Sequence, residues 1–545
     1  MDLQRGIWHV SRECEGVAEA GGLKDVVAGL GRALSGLGVR SAVVLPRYGF
    51  VDLGSLGAEK LGLRFELELP AAEGASAPAA ETVEVYRAHR DGLELYLLDS
   101  PRTRSKGAIY TYTEEEERRE PQKRKGSGHW DAHWLNLILQ RGALELALRL
   151  PPPALFHCHD GHAAFLPALL RCLPHYAEPL RDSSALLTIH NAGWGYHQEI
   201  HDRGLAARLT NLPGEVLERG VLNGAVDPLL LGALFARVNT VSPGYAREIA
   251  SGQHDALTGG LGEAYRRAGV QLLGVTNGIS PGRYDPRFPE HTGLPFAFDP
   301  GQGLLEGKGR CRQRFLSLLA QRRQGPPQPK GAQSPEPELQ GLSLFGTLEV
   351  REDLPLYAFV GRLTGQKGVD VLAGAVTELL RRRAPLQFLL MGQGEPLIEE
   401  KLIQITRFPA AAGRLALLIG YNNLAAKYVF ASGDFFLVPS QYEPCGLTDL
   451  FAQMMGSLPV VHSVGGLVKV RAGYSGYSYR EHSVEALIGA VEESLQDFRA
   501  HPEQLAQMRR QAFAEVWERY TWDRVAQEGY LPLYREAMAW KPTSP

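Results

Sequence analysis

The sequence predicts an α/β protein of two doubly wound, Rossmann-like domains facing an interdomain cleft. Its 545 residues exceed the roughly 250–300 that a single hydrophobic core usually supports, so at least two domains are expected. Short apolar runs ending in Gly, Asn, Asp, Ser or Pro alternate with helix-like stretches, which is the pattern of a parallel sheet with right-handed crossovers. That pattern begins again at Leu356, so the architecture is repeated.

In the first half the strands are read at 41–46 (SAVVLP), 154–160 (ALFHCHD), 185–191 (ALLTIHN) and 238–243 (VNTVSP). In the second they are read at 356–362 (LYAFVGR), 386–394 (LQFLLMGQG), 415–421 (LALLIGY), 435–440 (FFLVPS) and 458–463 (LPVVHS). Residues 1–275 are assigned to the N-terminal domain, 276–525 to the C-terminal domain, and 526–545 to a terminal helix. Gln321–Gly341 is rich in Pro, Gln and Gly without periodicity, so a mobile insertion is expected at about 321–345. The charged stretch 113–128 reads as a solvated surface loop.

Charge and cysteine content narrow the function classes. With 58 Lys and Arg against 61 Asp and Glu, the net charge of -3 gives no general attraction to nucleic acid or to an anionic membrane. The five cysteines are scattered and odd in number, as expected in a reducing cytoplasm rather than in a disulfide framework. No secretory or transit segment and no apolar run of about 20 residues is visible, so a soluble protein is expected.

Ligands of open α/β sheets bind beyond the carboxyl ends of strands, and the chemistry-bearing motifs fall there. In 435–456 a buried strand leads to a loop carrying Glu443, then to a helix opening near Gly446, Leu447 and Thr448. A helix start of this kind can seat a phosphate or a sugar hydroxyl. In 358–372 a strand ends in Gly361-Arg362, with Lys367 just before a helix. Two cations there suit a diphosphate: at ~4 Å and an effective dielectric near 20, each contact is worth about 4 kcal/mol before desolvation. Farther upstream, 157–170 and 188–200 place His159, Asp160, His162, His190 and Asn191 at strand ends, whereas His157 and Cys158 read as core. The order His-x-His-Asp-x-His does not match the ligand order of dinuclear zinc hydrolases and no matching distant ligand set is evident, so no metal is expected; no cofactor is expected either.

Glu-Pro-Cys-Gly-Leu-Thr at 443–448 followed by SLPVVHSVGGL at 457–467, together with Arg-Leu-Thr-Gly-Gln-Lys-Gly at 362–368, resembles bacterial glycogen synthases and plant starch synthases. The resemblance runs from Glu19 to the terminal 520–538 and leaves the Pro/Gln insertion outside it. It implies the GT-B fold of two Rossmann-like domains, with the terminal helix crossing back to the N-terminal one. The implied reaction moves glucose from ADP-glucose, or UDP-glucose, to the nonreducing end of an α-1,4-glucan with retained configuration.

By the same resemblance, Arg362 and Lys367 stabilise the departing nucleotide, Glu443 holds the donor glucose, and His190 lies beside it. Cys445, Gly446, Leu447 and Thr448 approach the diphosphate, and Cys445 is no nucleophile. Gly21 and Gly22 bring backbone N–H groups to the phosphates, Asn277 faces the donor, and Tyr421 stacks on the base. Asp160 and Asn191 are weaker sugar or acceptor candidates, while Thr240 and Ser242 read as structural.

The chain departs from the family pattern at four positions. Gly161 stands where the family has Trp, Trp194 where it has Tyr, Ser280 where it has Asp, and Glu19 where it has Lys. For Glu19 three explanations stay open: Lys24 or Arg12 supplies the charge, Glu19 serves the acceptor, or donor turnover is lost. A transferase with a small acceptor and a catalytically weak glucan-binding or regulatory homologue are the rival readings. A glucan phosphorylase is disfavoured, because no pyridoxal-phosphate lysine motif is found.

Overall fold

The computed structural model describes residues 3–70, 79–324 and 336–541. It divides into two compact units, one running to Gly278 and resuming at Trp522, the other spanning Ile279–Thr521. Residues 325–335, the greater part of the Gln321–Gly341 insertion, lie outside the described residues.

The first unit carries a nine-stranded sheet. From one edge its strands are Leu272–Gly274, Arg237–Thr240, Ser184–Ile189, Leu155–His159, Ile7–Val10, Ser41–Pro46, Leu93–Asp99, Ala79–Arg90 and Glu59–Leu69. The first seven are parallel and the last two extend the sheet antiparallel. Strands covered on both faces need apolar residues throughout, and the central ones are buried at every position. The helices from Trp522 onward pack Trp522, Tyr530 and Tyr534 against Leu30, Leu34 and Leu155.

The second unit holds seven strands in the order Ser343–Leu348, Arg414–Ile419, Gln387–Gly392, Leu356–Val360, Phe435–Val438, Leu458–His462 and Tyr477–Tyr479. Ser343–Leu348 is antiparallel and the other pairings are parallel. Its two faces form separate cores, one around Leu372, Val376 and Leu487, the other around Phe315, Val429 and Met455.

Every strand expected from the sequence is present. The central strand Ile7–Val10, the parallel strand Leu93–Asp99 and the antiparallel strands Glu59–Leu69 and Ala79–Arg90 were not foreseen. Within the stretch read as a surface loop, Glu114–Arg119 is a short helix, because Thr113 and Glu116 form a reciprocal capping box. No described helix is long and apolar enough to cross a membrane.

In each sheet the chain order reverses beside one strand. From Leu356–Val360 the chain continues to Gln387–Gly392 on one side and later returns to Phe435–Val438 on the other. Ile7–Val10 is likewise flanked by Ser41–Pro46 and by Leu155–His159. At such a switch point the loops diverge and leave a crevice for a ligand.

Candidate active site

The switch point of the second unit carries the two motifs read from the sequence. The turn after Leu356–Val360 closes with Gly368 in the left-handed region at φ 65°. A Cβ there would stand 1.9 Å from the Pro439 carbonyl, so the cationic turn can lie against the next strand end only with glycine. Lys367 Nζ thereby reaches Glu443 Oε2 at 2.6 Å, and Ser440 Oγ donates to the same oxygen at 2.8 Å. Burial pushes the Glu443 carboxyl up, but Lys367, Ser440 and Lys469 outweigh it, and the group sits below the ordinary carboxylate range. Glu443 is therefore an ionised acceptor held beside a cation.

Arg362 is exposed and donates from Nη2 to Gln366 Oε1 at 3.1 Å. Gln366 is in turn tied to the second loop, accepting from Gln441 N at its own carbonyl and donating to Tyr442 O. Cys445 is buried and Gly446 is left-handed, ahead of a helix running Thr448–Met454 with Leu447 at its N-cap.

One residue missed in the sequence organises this loop. Lys469 Nζ donates to the carbonyls of Cys445 at 2.8 Å, Gly446 at 2.7 Å and Gly466 at 3.0 Å, and pairs with Asp449 at 3.0 Å. A lone cation within the run 464–470 was the available signal. Tyr421 follows the strand Arg414–Ile419, is 63% exposed, and donates its hydroxyl to Asn423 Oδ1 at 2.9 Å.

In the first unit, Glu13, also missed, is buried and occupies the loop after Ile7–Val10. Its Oε2 accepts from the backbone N–H of Ala20 at 3.0 Å and of Gly21 at 2.6 Å, and Tyr110 donates to Oε1 at 2.7 Å. The Gly21 N–H is thus committed to an internal carboxylate, while Gly22 stands at the N-cap of Leu23–Gly36.

Glu19 accepts from Gly16 N at 2.6 Å, with Lys24 Nζ 3.7 Å away. Arg12 is buried and bonded to Tyr48, Asn136 and Ile109, so of the two cations considered Lys24 stands beside Glu19.

The other strand ends assemble Asp160, His190 and Asn191. Asp160 has φ 56°, an uncommon value for a residue with a side chain, and its Oδ1 accepts from His190 N at 2.6 Å. Burial pushes its carboxyl up to about 7 against the pull of the His190 and Asn191 amides. Asn191 Oδ1 accepts from Gly193 N. His190 Nε2 lies 3.0 Å from His159 Nδ1. Asn277 is buried, and its Oδ1 has no hydrogen-bond partner within the described residues.

The replacement of Trp by Gly161 is built into the backbone. A Cβ at 161 would lie 2.3 Å from the His197 carbonyl oxygen and 2.8 Å from that of Tyr196. The loop carrying Trp194 occupies the space a larger residue needs. Trp194 is 56% exposed.

Among the described residues, one group of three could hold a metal ion: His9, His157 and His159, each with a ring nitrogen within 4.8 Å of the others. Two of those rings are already bonded to each other, and His157 bonds to Tyr534 and Thr188.

Comparison with known proteins agrees with this layout. The starch synthase catalytic domain model matches residues 6–266, and the model for glycosyl transferases group 1 matches 355–497. A glycogen synthase from an Anaeromyxobacter species is 30% identical over 545 residues, covering 98% of this chain and 99% of that protein. One from Vibrio cholerae serotype O1 is 28% identical over 550 residues, with the same coverage of both. In fold, the chain is similar to the catalytic domain of starch synthase IV from Arabidopsis thaliana bound to ADP and acarbose. That match has TM-score 0.75 and 22% identity, and covers 98% of this chain and 99% of that one. A sucrose-phosphate synthase from Thermosynechococcus elongatus matches at TM-score 0.53 and 15% identity, with the same coverage. With switch-point loops of this kind and relatives aligned along its whole length, the chain belongs to the glycogen synthase family, glycosyltransferases of the GT-B fold.

Proposed function

We propose that this protein lengthens an α-1,4-glucan by moving glucose from ADP-glucose to its nonreducing end with retention of configuration. The observation that carries the reading is the 2.6 Å pair of Lys367 and Glu443 at a topological switch point, with Arg362 on the same turn. In the transition state the bond from the sugar to the diphosphate stretches and charge gathers on the departing oxygens. Arg362 and Lys367 stabilise that charge, while Glu443 orients sugar hydroxyls. The amides and the hydroxyl of Gly446, Leu447 and Thr448 add donors on the phosphate side, with Cys445 contributing backbone and no nucleophile. His190, Asp160 and Asn191 are assigned to the sugar, Asn277 to the donor, and Tyr421 to the nucleotide base. The unpartnered Asn277 Oδ1 supports its assignment, since a buried oxygen of this kind calls for a donor.

The nucleotide sugar and the glucan are the partners of this reading. The cytoplasm is the compartment of this reading. The test is nucleotide release from ADP-glucose and from UDP-glucose, each with and without glycogen. Glycogen-dependent ADP release is expected. Glycogen binding with no release from either donor would favour a binding homologue, the reading that Glu19 and Gly161 motivate.

A further inference from the structure

Three imidazoles run in a line from the core of the first unit to its strand ends. His9 lies on Ile7–Val10, His159 closes Leu155–His159, and His190 follows Ser184–Ile189, three neighbouring parallel strands. His9 Nδ1 is 3.1 Å from His159 Nε2, and His159 Nδ1 is 3.0 Å from His190 Nε2. His9 and His159 are fully buried, and the reaction proposed above uses neither.

We propose that His9 and His159 are positioning residues that lock His190 into the tautomer with its proton on Nδ1, presenting an N–H donor to the transferred sugar. This rests on the reading of His190 as a sugar-site residue.

Burial brings His9 and His190 down to about 3, and holds His159 well below the ordinary histidine value, with the neighbouring histidines adding to the effect. Each ring therefore carries one proton. In a head-to-tail series every N–H must point the same way, because two N–H groups or two lone pairs cannot share one bond.

The blind end sets the direction. His9 Nε2 is buried without a hydrogen-bond partner in the described residues. A proton there would be an orphaned donor, a rarer and costlier feature of protein interiors than an under-used acceptor. The proton belongs instead on His9 Nδ1, where it meets His159 Nε2. That puts the His159 proton on Nδ1 facing His190 Nε2, and leaves His190 protonated at Nδ1.

His157, two residues earlier on the same strand and equally buried, stands outside the series. Its Nδ1 lies 2.9 Å from the Tyr534 hydroxyl and its Nε2 2.6 Å from Thr188 Oγ1.

Nitrogen-15 NMR of the full chain labelled at histidine tests the proposal. The expected result is a His190 ring protonated at Nδ1 and bare at Nε2; the reverse pattern overturns it. His159→Leu is expected to lower kcat ~10- to 100-fold while KM for the nucleotide sugar stays within about twofold. His159→Asn, whose amide nitrogen can stand near the place of Nδ1, should restore most of that loss. His157→Leu, compared at equal folded fraction, should stay within about threefold of wild type. Equal losses at 157 and 159, or no rescue by Asn, would reduce the series to packing and overturn the proposal. Stoichiometric binding of zinc alone that disappears in His159→Leu would also overturn it, in favour of a metal site. His190→Ala separates this inference from its premise: full activity there removes the sugar-site assignment, while the NMR result judges the tautomer independently.

Discussion

Lys367 and Glu443 stand 2.6 Å apart at the carboxyl ends of two adjacent parallel strands, Leu356–Val360 and Phe435–Val438. Each partner shapes what the other can do. Glu443 keeps the ammonium aimed into the switch point, and Lys367 keeps a largely buried carboxylate ionised. In the proposed reaction the diphosphate would meet a cation already oriented and partly desolvated, which is the preorganisation that makes such groups effective.

Removing one partner is therefore expected to cost twice. Lys367→Met should lower turnover ~100- to 1,000-fold. It also strands Glu443, so the melting temperature should fall; the free-energy cost should be less than the about 3–5 kcal/mol of a fully buried pair, because Lys367 keeps some solvent contact. The double variant Lys367→Met with Glu443→Gln should recover stability without recovering activity. Thermal melts alongside nucleotide release check this, and a double variant no more stable than the single one would refute the pairing argument.

Arg362 should behave differently. It is exposed and bonded to the Gln366 side chain, so Arg362→Ala is expected to leave the melting temperature unchanged. Turnover should still fall ~100- to 1,000-fold. Activity within about threefold of wild type would remove Arg362 from the leaving-group role.

Gly161→Trp would restore the family residue and is expected to harm this protein. Its Cβ would collide with the backbone of the loop at 196–197, an overpacking that costs about 1–3 kcal/mol or more. Gly161→Ala should already show part of the loss in a denaturant melt. A neutral or stabilising Gly161→Trp would mean that the loop moves aside freely.

Glu19→Lys tests another of the four departures. The substitution removes the acceptor of the Gly16 N–H and places a cation near the glycine loop. Donor KM is expected to fall severalfold, with glycogen affinity unchanged. An inert wild type that this single change switches on would show instead that Glu19 had abolished turnover.

Much of this was legible in the sequence, for a physical reason. Strands of a doubly covered parallel sheet are nearly continuous apolar runs, so Leu356–Val360 or Leu458–His462 announce themselves. Ile7–Val10 was harder to see, because a four-residue strand containing His9 resembles an ordinary mixed N-terminus. Glu59–Leu69 did carry a period-two signal toward its end, where charged residues alternate with Phe65, Leu67 and Leu69. The residues that support the site carry little local signal, the lone cation Lys469 in an apolar run being the exception. Glu13 matters because it takes the amides of Ala20 and Gly21, Lys469 because it gathers carbonyls more than twenty positions upstream, and His9 because parallel register sets it beside the strand of His159. Each role exists only once distant segments are packed, and local pattern does not encode that.

The last prediction concerns pH. His197 Nδ1 lies 2.6 Å from Asp227 Oδ2 and its Nε2 lies 2.9 Å from the Ala192 carbonyl. Both partners are acceptors, so the ring satisfies both only as a doubly protonated imidazolium. Burial pulls its pKa down, but the hydrogen bond and charge of Asp227, with the Ala192 carbonyl, win and raise it above the ordinary value. A raised histidine stabilises the fold fully below its unfolded value near 6.5, and that contribution is lost as pH climbs through the raised folded value. The contribution of His197 should therefore decline from mildly acidic toward alkaline pH, and it is read as a difference between variants, because the buried neutral His9, His159 and His190 act in the opposite sense in both proteins. His197→Gln leaves Asp227 buried without its cation, so at pH 6 it should cost about 3–5 kcal/mol, and the difference from wild type should shrink as pH rises. Melts of both proteins across that range check the sign: a wild-type advantage that grows with pH would mean that His197 is neutral in the fold.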